Sequence, residues 1–74
     1  MTSDSIREKL LTLLPPLFTR ADIPKYLGSL ISPRYLANLD SEGAGPPRFK
    51  AGKKTAYVRE SWVDWYIERF IVVA

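Results

Sequence analysis

Arg48, Lys50, Lys53, Lys54 and Arg59 lie in one stretch, 45–59, that holds no acidic residue. Elsewhere the charges balance. Before Arg48, the bases Arg7, Lys9, Arg20, Lys25 and Arg34 are matched by Asp4, Glu8, Asp22, Asp40 and Glu42. After Arg59, Arg69 meets Glu60, Asp64 and Glu68. The three segments therefore carry 0, +5 and −2 of a formal net charge of +3. The chemistry open to such a cluster is non-covalent: lysine and arginine neutralising a polyanion, with turn residues holding them on a projecting finger.

Other chemistries lack their residues. The chain has no Cys and no His, which removes disulfides, thiolate metal sites and His-based catalysis or zinc ligation. The eight acids are scattered, and no Asp-rich loop offers a hard-cation site. No nucleophile–base pair can be assembled, so no catalytic residue, metal or cofactor is expected and the chain does not read as an enzyme. The start, Met-Thr-Ser-Asp-Ser, has neither a basic n-region nor a long apolar stretch, and no segment is long enough to span a bilayer. The expectation is a soluble protein in a reducing cytoplasm. With 74 residues, 46% hydrophobic and rich in aromatics, it should form one folded domain with a modest core.

The elements that must position the basic finger follow from periodicity and punctuation. Ile6, Leu10, Leu13, Leu14 and Leu17 recur at helical spacing, so the spacing predicts a leading helix capped by Ser3 or Asp4 and ended by Pro15-Pro16. Thr19 with Asp22 forms a capping box for a second helix over 20–27, closed by Gly28. Ser32-Pro33 starts a third helix over 33–41, with Leu36 and Leu39 inward and Arg34, Tyr35 and Asn38 on other faces. Gly43, Gly45, Pro46 and Pro47 break regular structure. Arg48–Lys50 and Thr55–Val58 read as two strands around a turn containing Gly52, with Phe49 and Tyr57 facing the core. A last helix begins at Glu60 or Ser61 and carries Trp62, Trp65, Tyr66 and Phe70, before an apolar tail, 71–74. The predicted class is mainly α with a small β-hairpin, a winged helix-turn-helix. Residues 1–17 form a leading helix packed on a domain of residues 18–74.

A capped helix can offer side chains to base edges in the major groove, and a basic hairpin can reach phosphates or the minor groove. The candidate DNA-binding residues are Ser32, Arg34, Tyr35 and Asn38 on the helix, and Arg48, Lys50, Lys53 and Lys54 on the hairpin. Arg34 and Asn38, one turn apart, suit bidentate contacts to guanine and adenine. Arg20 and Lys25 are further candidates for backbone contact.

The stretch from Phe18 to Phe70 resembles the excisionase and AlpA-like winged helix-turn-helix proteins of the MerR-like group. The matching pieces are 31–39, Ile-Ser-Pro-Arg-Tyr-Leu-Ala-Asn-Leu; then 43–50, Gly-Ala-Gly-Pro-Pro-Arg-Phe-Lys; then Gly52-Lys53-Lys54; and then Tyr57 to Tyr66. Ser29 and Leu30 make the link between the two helices longer than in many members. The resemblance implies binding of duplex DNA without catalysis, the 33–41 helix in the major groove and the 48–58 wing on the minor groove or backbone. It further implies control of a prophage or other mobile element, either as an architectural factor beside an integrase or recombinase or as a transcription regulator, with further copies of the chain on DNA as possible partners. A reading from a different class stands beside it: a protein-interaction adaptor using the leucine-rich first helix, with only non-specific DNA affinity. A membrane partner is not expected, because the basic residues sit on a hairpin and not along one helix face.

Overall fold

In the computed structural model, which describes residues 2–71, Thr2 opens the first element. Its extended backbone and its Oγ1, which accepts from the Ser5 N–H at 3.1 Å, make it the N-cap of α1, Ser3–Leu13, one residue before the caps read from sequence. The helix ends as expected, with Leu14 extended ahead of Pro15 (φ −93°, ψ 142°). The two prolines deliver the chain into β1, Leu17–Thr19, a strand the sequence reading lacks. A single 3-10 turn, Arg20–Asp22, follows, and then α2, Ile23–Leu27. The expected 20–27 helix is thus split, but its capping box of Thr19 and Asp22 is present. Gly28, at φ 59°, closes α2.

α3 spans Pro33–Ser41. The hairpin consists of β2, Phe49–Ala51, and β3, Lys54–Val58, joined by Gly52-Lys53 with Gly52 at φ 66°. A two-residue loop with a left-handed glycine first matches the right-handed twist of the strands it joins. α4, Arg59–Phe70, starts directly after β3. The sheet is antiparallel in the order β1-β3-β2, so the expected hairpin is two strands of a three-stranded sheet. The described tail reaches Ile71; the remainder of the expected apolar tail, 72–74, lies outside the described residues.

Register explains which side chains are inside. Phe18 and Tyr57 are paired across β1 and β3 and share the core face. Phe49 pairs with Ala56, one residue from Tyr57, and side chains alternate along a strand. Phe49 therefore points to the opposite face and is exposed, not in the core as the sequence reading placed it. Ile23, Leu36, Tyr57, Trp62 and Val63 are fully buried. Leu10 and Leu14 of the α1 region belong to the same core, so the leading segment completes it. Leu13 and Leu17, expected in the same stripe, are 53% and 59% exposed: Leu13 lies on the outer face of α1 beside buried Leu10 and Leu14, and the extended Pro15-Pro16 segment breaks the helical phase before Leu17. Among the described residues, no helix is long and apolar enough to cross a membrane.

Candidate nucleic-acid interface

Ser32 organises the start of α3. Its backbone is extended (φ −91°, ψ 147°), its Oγ accepts from the Tyr35 N–H at 3.1 Å, and Pro33 fills the first helical position. Leu36 and Leu39 bury one face of the helix. Ser32, Arg34, Tyr35 and Asn38 are all exposed, with Arg34 and Asn38 four residues apart on one surface. The Tyr35 ring lies 6.1 Å from that of Phe70, so α4 supports it from the side.

Arg48, Lys50, Lys53 and Lys54 are also exposed. Lys50 pairs with Thr55 in the hairpin register, and its Nζ donates to Thr55 Oγ1 at 3.0 Å. Lys53 sits in the turn and Lys54 begins β3. A groove of about 370 Å³ brings these lysines to the start of α3: it is bordered by Thr19, Arg20, Pro33, Lys50, Lys53 and Lys54. Of the eight sequence-predicted residues, the structure thus gathers three hairpin lysines beside the α3 terminus. Ser32, Arg34, Tyr35, Asn38 and Arg48 are exposed but do not line this groove.

Ion pairs decide which charges are free. Among the described residues, Arg7 pairs with Asp64, Arg59 with Glu60, and both Arg20 and Arg48 with Asp40. Arg34, Lys50, Lys53 and Lys54 take part in none of these pairs. Arg20, a sequence candidate for DNA-backbone contact, is instead tied into a part-buried network. Its Nη2 donates to Asp40 Oδ2 at 2.5 Å, and its Nε donates to Tyr57 Oη at 3.2 Å. Tyr57 Oη in turn donates to Asp40 Oδ2 at 2.8 Å. Asp40 is 4% exposed. The network joins α3, the 3-10 turn and β3 through three side chains, so it fixes the helix against the strand that carries the hairpin. Sequence reasoning missed Asp40, which follows Leu39 and looked like one more surface charge. In the fold Gly45 passes over it, where an added Cβ would overlap the Asp40 carboxylate.

Burial pushes the Tyr57 phenol up to about 12 from its ordinary 10.0. The folded protein then keeps a proton that an unfolded chain releases from about pH 10 upward. Stability is complete below that pH and falls as pH rises from about 10 towards 12, by about 3 kcal/mol in the limit. Burial raises Tyr66 in the same direction. Urea unfolding at pH 9 and pH 11 should show a lower midpoint at the higher pH, and a Tyr57→Phe variant should show a smaller drop between the two.

Comparison with protein-family models, with curated proteins and with solved structures finds no match to this chain.

Proposed function

We propose that the protein is a winged helix-turn-helix factor that binds duplex DNA, with α2 and α3 as the helix-turn-helix and the β2–β3 hairpin as the wing. The observation that carries this reading is the shared groove, in which three lysines that take part in no ion pair among the described residues flank Pro33 at the capped start of an exposed helix face. A helix seated in the major groove would present Arg34 and Asn38 to base edges, with Ser32 and Tyr35 on sugar or phosphate. Lys50, Lys53 and Lys54 would reach the adjoining backbone or minor groove. Within that function, the roles that fit are an excisionase-like architectural factor working beside a recombinase, or an AlpA-like transcription regulator. The contacts are the same in both.

The test is selection of sites from a random duplex library, followed by affinity for the winner and for scrambled DNA at two salt concentrations. A preference of about a thousand-fold or more is expected. Lys53→Ala with Lys54→Ala should weaken binding to every sequence and lower the slope of log affinity on log salt by about 2, since each phosphate contact contributes about 0.9. Arg34→Ala should instead cut the preference for the selected site about tenfold or more, the scale of one bidentate base contact. Variants that bind like the parent would overturn the assignment.

Exposed Leu13 and Leu17 favour a second reading, an adaptor that docks another protein on this side. Unselective, salt-labile DNA binding together with co-sedimentation of a candidate recombinase, abolished by Leu13→Ser and Leu17→Ser, would support it.

A further inference from the structure

Asp40 has two oxygens in different situations. Oδ2 is saturated by Arg20 and Tyr57. Oδ1 is buried and accepts no hydrogen bond from the described residues. A buried carboxylate oxygen left in this state is costly, and compensation has to come from nearby charge. Besides Arg20, which is engaged at Oδ2, Arg48 is in range: its Nη1 lies 3.7 Å from Oδ1, beyond hydrogen-bond reach but within ion-pair range.

The segment that delivers Arg48 is firmly seated. The Gly43 N–H donates to Asp40 O at 3.2 Å and the Ala44 N–H to Leu39 O at 2.9 Å. Ala44 O accepts from Trp65 Nε1 at 3.1 Å. Gly45 passes directly over the Asp40 carboxylate, where no side chain would fit, and Pro46 is fully buried. Arg48 therefore stands at a fixed root of the hairpin, one residue before β2, while Lys50, Lys53 and Lys54 project from its strands and tip. The acids that flank the following helix are already engaged: Glu60 with Arg59 and Asp64 with Arg7.

We propose that Arg48 is a positioning residue: its guanidinium compensates the second oxygen of buried Asp40, couples the root of the hairpin to α3, and does not bind phosphate. The DNA half of this inference rests on the function proposed above; the coupling to Asp40 does not.

Two arms test it. In the protein alone, Arg48→Ala should lower the thermal midpoint by about 3 °C or more, as expected for loss of a modest interaction in a domain of this size. In an Asp40→Asn background the same change should shift the midpoint by less than about 1 °C, because the interaction is gone. Arg48→Glu, which sets a like charge beside Asp40 without altering the aspartate, should lower the midpoint further than Arg48→Ala. Equal shifts in both backgrounds, or Arg48→Glu melting with Arg48→Ala, would overturn the coupling. In the DNA arm, Arg48→Ala should leave the salt slope within about 0.3 of the parent while Lys53→Ala lowers it by about 0.9. A drop of the lysine size for Arg48→Ala would make Arg48 a phosphate contact and overturn the proposal, with duplex binding intact. A parent that binds no duplex at all would instead remove the DNA function, and the thermal arm alone would then decide the role of Arg48.

Discussion

Asp40→Ala should remove a large fraction of the protein's stability at 25 °C. The change strips Arg20, 26% exposed at its side chain, of its close carboxylate partner, and takes from Tyr57 Oη the acceptor it donates to. It also opens a void under Gly45, where the backbone is packed on the carboxylate. Breaking a buried ion pair from one side costs about 3–5 kcal/mol. A chain of this length has roughly 4–11 kcal/mol in all, at the usual stability per residue. Urea unfolding followed by tryptophan fluorescence measures the difference directly. Asp40→Asn, which keeps an oxygen for Tyr57, should lose less. A loss under about 1 kcal/mol for Asp40→Ala would mean that the network contributes little to stability.

Trp62→Ala is the other change of this size. Trp62 is fully buried and stands at the centre of the aromatic packing. It stacks on Tyr66 at 5.0 Å with ring planes 10° apart, meets Phe18 edge-on at 5.7 Å, and lies 6.0 Å from Trp65. Removing it breaks the contact of α4 with both β1 and its own next turn, and the expected cost is about 3–5 kcal/mol. Trp62 Nε1 has no hydrogen-bond partner among the described residues. The indole is thus held by area and shape, not by its polar atom, and Trp62→Phe should cost much less than Trp62→Ala. A far-ultraviolet thermal melt of the two variants separates these outcomes; equal losses would show that the indole N–H matters after all.

The parts of the fold that could be read from sequence are those with short-range causes. Ser32-Pro33 announces α3 because a capping hydroxyl and a proline act within one turn, and α3 begins there. Gly52 marks the hairpin because only a left-handed residue closes so short a loop. What could not be read depends on partners distant in the chain. Leu17-Phe18-Thr19 is too short to show alternation, and it becomes a strand only because Val58, Tyr57 and Ala56 lie alongside. Phe49 seemed a core residue from its type alone, but a register set by Ala56 turns it outward. Asp40 is invisible in the pattern, because nothing near it in sequence signals Arg20 and Tyr57 closing over it. For the candidate site, residue type and local helix phase were enough to mark eight exposed side chains. They were not enough to show that Pro33 and the hairpin lysines share a groove, or that Arg48 faces a buried acid.

The strand order β1-β3-β2 has a consequence for how the chain acquires its shape during synthesis. β3 is the middle strand, yet it is the last of the three to be made. Until residues 54–58 exist, β1 has no neighbour to pair with, Asp40 lacks the Tyr57 hydroxyl, and the core lacks Tyr57, Trp62 and Val63. Nascent chains that stop before β3 would expose Phe18, Ile23 and Leu36 with nothing to cover them. Exposed apolar surface of this kind makes such chains aggregation-prone and substrates for chaperones. The complete sheet and core therefore cannot form before the segment beyond Gly52 is made.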